Sequence, residues 1–393
     1  MNYVYLSPHF PTNYSPFVIK LREAGVNVLG IGDASFDHLS DPLKRYLTEY
    51  YRVSDMHNYD ELQRAVGYFT HRYGKIDRIE SHNEYWLETE ARIRTDFNIE
   101  GPKIAEIAWV KQKSLMKEIY QQAGIPVARG RIIREFDEAQ RFIAEVGTPV
   151  VAKPDKGVGA AATYKIHNQN ELRNFFDTKP PVDYLFEEFI QGQIVSFDGL
   201  VDQDGDVVFY TVDVFRQGVM ETVNQDLDFF YYSLREIPDD LCEVGFQTVS
   251  AFNIRSRFFH LEYFRTSNGR IMALEVNMRP PGGLTIDMYN YANDIDIYAE
   301  YANVIVHNRF DAPVERPYHC GYYGRKNHIR YDLSHQEVLA RFNDILVHHE
   351  PMNAILRDAL GDYAYIVRSP DLDEILSAEQ LILAPLEEGG EKG

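Results

Sequence analysis

Cysteine is scarce in this chain: Cys242 and Cys320 are the only two in 393 residues. Two thiols at that separation make neither a disulfide framework nor a cysteine metal site. Both read as buried apolar residues. Long apolar runs are missing as well. No window approaches the roughly 18 consecutive apolar residues that a membrane-spanning helix needs. The first residues, MNYVYLSPHF, lack a basic stretch followed by an apolar run, so they do not read as a secretory signal. Positive charge is in deficit, with 40 Lys and Arg against 60 Asp and Glu and a formal net charge of −20. That argues against a nucleic-acid backbone or an anionic membrane surface as partner. The expectation is a soluble, cytoplasmic protein. The sequence has no G-x-x-x-x-G-K-[ST] phosphate loop. Gly30-Ile31-Gly32-Asp33 lacks the third glycine of a dinucleotide fingerprint and follows the second strand, not the first.

What is present is the composition of a globular protein, 45% hydrophobic and 25% charged. The length suggests two or three domains. Up to about residue 100, short apolar strands (3–6, 27–31, 50–53, 76–80) alternate with helical spacing (15–24, 59–73, 84–97), which predicts a parallel sheet covered on both faces. Beyond Gly101-Pro102, the pattern predicts a helix over 109–122, a strand at 131–133 and a helix at 137–146. The strand TPVVAK (148–153) then leads into a glycine-rich loop, PDKGVGAAAT, and a return strand at 164–166. A helix at 169–177 and an apolar run, YLFEEFI (184–190), follow. A hairpin closes at Asp204-Gly205, a helix spans 242–252, and another spans 294–307. After Pro313 the pattern predicts a small third α+β unit.

The most informative stretch is Phe258 to Gly283, FFHLEYFRTSNGRIMALEVNMRPPGG. Asn268-Gly269 between alternating apolar runs predicts a hairpin with a two-residue type I′ turn. That loop sets Glu262 opposite Glu275, His260 opposite Asn277 and Phe258 opposite Arg279. Alternation then puts Phe258, His260, Glu262, Phe264, Ile271, Ala273, Glu275, Asn277 and Arg279 on one face. The other face, with Phe259, Leu261, Tyr263, Met272, Leu274, Val276 and Met278, is core. Two facing carboxylates have Cβ atoms about 4.5–5.5 Å apart and repel unless a cation lies between them. Two carboxylates and an amide oxygen suit Mg²⁺ or Mn²⁺. The plainer reading is a solvated strand face with an accidental acidic pair, and a three-residue loop would break the register.

Lys153 precedes the glycine-rich loop, where glycines let backbone N–H groups approach a phosphate. By itself that is also the composition of an ordinary flexible loop. Taken in order, a Lys, a Lys before a glycine-rich loop, an apolar strand with acids, two acids with an Asn, and an Arg describe a triphosphate site with metal at its far end.

These elements resemble the ATP-grasp superfamily, which includes D-alanine–D-alanine ligase, biotin carboxylase, carbamoyl phosphate synthetase and the bacterial L-amino-acid ligases. The resemblance runs over roughly residues 101–310, through KSLMKEIYQQAGIPVAR, VVAKPDKGVGAAAT, FEEFIQG and LEVNMRPPGG. It implies an α/β and α+β fold in three parts. These are a Rossmann-like domain over 1–100, an ATP-grasp nucleotide-binding and catalytic domain over 101–312, and a small α+β domain over 313–393. It implies ATP and Mg²⁺ (or Mn²⁺) as cofactors. It implies Lys113 and Lys153 on the α- and β-phosphates, Gly157 and Gly159 in a closing loop, and Glu187, Glu188, Phe189 and Ile190 around adenine. Glu262, Glu275 and Asn277 would hold metal. Arg279, with Lys153, would meet the transferred phosphoryl group. The family's ribose acid falls at Ile194 here, leaving Gln193 or Asp198 as substitutes.

The implied activity is an ADP-forming carboxylate–amine ligase with an acyl-phosphate intermediate, acting on an amino acid or small peptide. His260, Arg216, Gly282 and Gly283 are further candidates on the substrate side, His260 as a base. Partners would be ATP and small carboxylate and amine substrates, with a homodimer as one assembly. The alternatives are a phosphotransferase, a carboxylase-like enzyme without amide formation (no Ala-Met-Lys-Met biotin motif is present), and a nucleotide binder without turnover.

Overall fold

Three sheets organise the described residues, 1–157 and 162–386 of a computed structural model. The first sheet holds β1 (Asn2–Leu6), β2 (Asn27–Gly32), β3 (Glu49–Arg52) and β4 (Arg78–Glu80), in the order β3-β2-β1-β4 and all parallel. Its two central strands, β1 and β2, are apolar on both sides because both faces are covered. Val4, Leu6, Leu29 and Ile31 pack with Phe69, while Tyr3, Tyr5 and Val28 pack with Phe17.

The second sheet is small and antiparallel. It contains β5 (Gly130–Ile133), β6 (Val150–Pro154), β7 (Tyr164–Ile166) and β8 (Tyr184–Glu188), ordered β5-β8-β6-β7. Ile133, Ala152 and Phe186 meet Phe142, Leu172 and Phe175 from the two helices laid over it. The third sheet has eight strands: β9 (Gly192–Val201), β10 (Val207–Phe215), β11 (Phe229–Ser233), β12 (Arg257–Thr266), β13 (Ile271–Asn277), β14 (His319–Arg325), β15 (Leu346–Pro351) and β16 (Tyr363–Ser369). Their order is β13-β12-β9-β10-β11-β14-β16-β15.

Four expectations change. The helix expected over 109–122 is two helices, Ile104–Lys111 and Lys113–Gln122. Gln112 between them is extended, in a β-bridge to Lys156, and Asp155 caps the new start by accepting from the Ser114 backbone N–H at 2.8 Å and the Ser114 hydroxyl at 3.0 Å. A contact from a distant loop thus overrides helical spacing. The helix expected at 294–307 starts only at Ile297 and runs to His307, and an unexpected helix, Thr285–Asn293, precedes it. The break lies at Asp294, in the left-handed region at φ 52°, and the Asp296 side chain caps the second helix. The strand β8 stops at Glu188, leaving Phe189 and Ile190 beyond its last paired residue. Finally, the described residues after 313 do not close on a sheet of their own. β14 pairs with β11, so the C-terminal strands extend the central sheet.

A buried ionic network ties the first sheet to the third. Glu80, at the end of β4, meets Arg257 of β12 at 2.9 Å and Arg94 at 2.9 Å, and Arg94 meets Glu90 at 2.7 Å. Arg94 and Glu90 are fully buried. Glu80 thereby anchors the segment that carries Glu84 onto the strand that carries Glu262. Breaking a buried pair strands the partner charge, at a cost of about 3–5 kcal/mol. Arg257→Leu is expected to lower stability by that order, read as a fall in the urea unfolding midpoint. The exposed Arg255→Ala should stay within about 0.5 kcal/mol of the parent.

Candidate functional site

The β12–β13 hairpin does not turn as Asn268-Gly269 suggests. Thr266 N–H donates to the Arg270 carbonyl at 3.0 Å, enclosing a three-residue loop with Gly269 at φ +80°. Near the turn, Arg265 pairs with Ile271, Phe264 with Met272 and Tyr263 with Ala273, one residue out of the expected register. A bulge between Glu262 and Tyr263, with Leu274 as the extra residue, restores it. Beyond the bulge Glu262 pairs with Glu275, Leu261 with Val276 and His260 with Asn277. The carboxylates therefore face each other as expected, by a different route. The bulge also swaps faces near the turn. Ile271 and Ala273, expected beside the acids, pack in the core with Tyr263. Phe258, expected on the acid face, is buried against Tyr301 and Phe17.

Four elements bring charge to this pair. Lys113 Nζ, from the start of its helix, lies 3.3 Å from Glu275 Oε1. His260 Nε2 lies 3.6 Å from Glu262 Oε1, while its Nδ1 is 2.6 Å from the buried Asp198. Arg279 Nη2 reaches Glu84 Oε2 at 3.0 Å and Asn277 Oδ1 at 3.4 Å. Lys111 Nζ reaches the other Glu84 oxygen at 3.3 Å.

The two glutamates are not equivalent. Burial works against the charge on Glu262, but the His260 imidazole outweighs it and holds that carboxyl below its ordinary range. Burial pushes the Glu275 carboxyl above the ordinary range, and Glu262 and Glu84 add to the push against Lys113. Such an under-neutralised pair, with an amide oxygen one register step away, suits a hard cation. Among the described residues no group of three or more His, Cys, Asp or Glu side chains forms a metal cage. Two carboxylates with substrate phosphates are the usual way in which Mg²⁺ is held.

A second cationic group lies on the small sheet. Glu187 bridges Lys153 at 2.6 Å and Lys117 at 2.7 Å. All three are buried. Burial opposes the charge on Lys153, yet Glu187 keeps its ammonium above the ordinary lysine range. Burial dominates at Lys117 and lowers it. Lys113 also donates to the Gly157 carbonyl at 3.3 Å, which draws the entry to the glycine-rich loop toward Glu275. Gly159 lies outside the described residues.

The remaining candidates divide. Glu188 is held by Arg129 at 2.6 Å, and Phe189 carries Lys165 Nζ 3.8 Å over its ring. Arg216 is not drawn to the carboxylate pair; it meets Glu379 of the helix Leu372–Ile382 at 2.5 Å. The Gly282 carbonyl accepts from Thr285 Oγ1 at 2.9 Å and the Gly283 carbonyl from Asn13 Nδ2 at 2.9 Å, with Gly283 at φ +65°. Asp198 does not substitute as a ribose acid, being fully buried and committed to His260 and Ser196, whereas Gln193 is exposed. As a base, His260 is the wrong species. Against burial, Asp198 and then Glu262 push its pKa up to about 10, so it is already protonated at neutral pH. Sequence reasoning missed Lys117, Lys111, Glu84 and Asp155. Lys117 had a signal, since it sits one helical turn after Lys113. Glu84 had none, because only the docking of the first sheet brings it here.

Residues 146–287 match the profile of a family described as the ATP-grasp domain. The L-arginine-specific L-amino acid ligase of Bacillus subtilis is 24% identical over 245 residues, spanning 60% of this chain and 59% of that protein. The chain thus aligns with somewhat under two thirds of that relative's length. The crystal structure of L-amino acid ligase from Bacillus licheniformis superposes with a TM-score of 0.73 at 14% identity, over 99% of both chains. The biotin carboxylase domain of Hydrogenobacter thermophilus 2-oxoglutarate carboxylase, solved with MgADP, ADP and bicarbonate, superposes at 0.68 and 15% identity over 98% of this chain and 90% of that one. At such identities the structural likeness establishes the fold.

The raised pKa of His260 has a consequence for stability. The folded protein holds that proton more tightly than the unfolded chain, so the Asp198–His260 pair stabilises fully below about pH 6.5. The contribution is lost as pH rises through about 10. In EDTA, the urea midpoint should fall between pH 6.5 and 10, and the fall should shrink in both Asp198→Asn and His260→Gln.

Proposed function

We propose that this chain, whose residues 146–287 are an ATP-grasp domain, is an ATP-dependent, ADP-forming carboxylate–amine ligase acting on an amino acid or small peptide. The observation that carries this reading is the Glu262–Glu275 pair with Asn277 and Arg279 on one side and Lys113 and the buried Lys153 on the other. A nucleotide binder without turnover has no need of all these groups at the triphosphate end.

The chain's own residues have separable tasks. Lys113 and Lys153 meet the α- and β-phosphates of ATP. The segment after β8, from Glu187 to Ile190, offers backbone edge to adenine. Glu262, Glu275 and Asn277 would hold Mg²⁺, which would offset the negative charge of the phosphates. A substrate carboxylate oxygen attacks the γ-phosphorus, the bond to the β-bridging oxygen breaks, and ADP leaves. Arg279, oriented by Glu84, steadies the developing negative charge, with in-line positioning supplying most of the remainder. The amine nitrogen then attacks the acyl carbon, the carbon–oxygen bond to phosphate breaks, and the nitrogen gives up a proton. His260 takes no part as the base; it is the fixed cation that keeps Glu262 ionised. The glycine-rich loop, with the small sheet, keeps water from the acyl phosphate.

The test is ADP and phosphate release with ATP, Mg²⁺ and pooled amino acids. Release should require the pool and fall by about 100-fold or more in Glu275→Gln, the scale of removing one preorganised electrostatic partner. ADP release without free phosphate would point to a phosphotransferase. Release indifferent to every pool would remove amino acids as substrates.

A further inference from the structure

Beside the turn that follows Arg279 lies a second cavity, of about 310 Å³. Three distant parts of the chain enclose it. Asn13 comes from the first unit, Gly283 and Leu284 from the turn, and Glu350, Met352 and Arg357 from the C-terminal strands and the segment after β15. The volume sits at the lower end of the range for small-molecule sites, about 300–1,000 Å³. It suits a ligand much smaller than a nucleotide.

The walls carry opposite charges that are not spent on each other. Glu350 has His348 beside it, its Oε2 lying 3.4 Å from a buried ring nitrogen that lacks a hydrogen bond, and the Asp287 carboxylate is close enough to feel both. Arg357 uses its Nε on the Met352 carbonyl at 3.0 Å, with Asp362 at 3.7 Å. That contact orients the guanidinium while engaging only one of its nitrogens. Leu284 and Met352 are buried apolar flooring. The Asn13 amide bonds the Gly283 carbonyl and Asp287, so the first unit holds the cavity wall in place. The neighbouring Tyr14 hydroxyl donates to the Pro281 carbonyl at 2.9 Å.

We propose that this cavity binds the zwitterionic head of an α-amino acid, with Arg357 taking its carboxylate and Glu350 its amino group. Guanidinium–carboxylate pairing is directional, and Arg357 and Glu350, both partly exposed, are open to a ligand arriving from solvent. The ligand is the amine-bearing partner of the ligation, which keeps its own carboxylate free. The proposal rests on the ligase reading above, and the position of the cavity on the turn that leaves Arg279 connects the two.

The experiment uses the full-length protein and the L-amino acid that mass spectrometry finds at the free-carboxylate end of the product formed from ATP, Mg²⁺ and pooled amino acids. Binding of that amino acid and of its α-amide is measured by titration calorimetry on the parent, Arg357→Gln and Glu350→Gln. The free acid should bind each variant at least about ten-fold more weakly than the parent. The amide, which lacks the carboxylate, should bind the parent and Arg357→Gln alike. Unchanged binding of the free acid in both variants overturns the inference and leaves the ligase reading standing. Equal loss of acid and amide in Arg357→Gln also overturns it, since that marks a merely structural arginine. If ADP release from the parent is indifferent to every pool and no amino-acid product forms, amino acids are removed as substrates and this inference falls with that reading.

Discussion

Two carboxylates face each other across adjacent strands, and much of the surrounding structure answers to that repulsion. Glu262 and Glu275 occupy one register step of β12 and β13. Like charges in such positions destabilise a sheet unless neighbours offset them. Here the neighbours come from separate places: Lys113 from a helix start, His260 from the same strand, and Arg279 from the end of the hairpin. The asymmetry between the two acids follows from who stands beside each. Glu262 has a protonated imidazole backed by a buried aspartate. Glu275 has Lys113 and, less strongly, Lys153, and Glu262 and Glu84 act against them. Burial and the neighbouring glutamates leave the Glu275 side of the pair short of positive charge.

The same logic holds the lysines. An ammonium buried alone would lose its charge, so Lys153 and Lys117 share Glu187. That carboxylate is spent on holding the two lysines in place. The small sheet and the helix from Lys113 are joined by Asp155, which caps the helix while the loop beyond it begins. The first sheet contributes through Glu80, Arg94 and Arg257, a buried network whose position delivers Glu84 to Arg279. The site is therefore assembled from three sheets, each docked by ionic groups that burial makes expensive to separate.

Much of this was legible in residue patterns. The alternation of strands and helices up to residue 100 predicts the parallel sheet. The helix over 59–73 and the hairpin strands of β9 and β10 follow from periodicity and turn residues. The pairing of Glu262 with Glu275 was also correctly expected, though for an incomplete reason. Asn-Gly favours a two-residue turn, yet the loop has three residues, and only the bulge at Leu274 recovers the register. A bulge leaves no sequence signature that alternation can detect, because one extra residue simply exchanges the faces. The misplacing of Ile271 and Ala273 has that cause.

Local chemistry, then, was determined by sequence alone. Most strand and helix segments, the residue types at the acidic pair, the lysine before the glycine-rich loop and the arginine after β13 all depend on neighbours a few positions away. Tertiary structure decided what depends on residues far apart. It split the helix at Gln112, because a distant aspartate caps the new start. It joined residues after 313 to the central sheet, because β11 had an open edge for β14. It withdrew His260 and Asp198 from catalysis and ribose binding by burying them against each other. It also brought Asn13, Gly283, Glu350 and Arg357 around one cavity. Charge and burial are long-range properties, and no periodicity in the chain encodes which charges will meet.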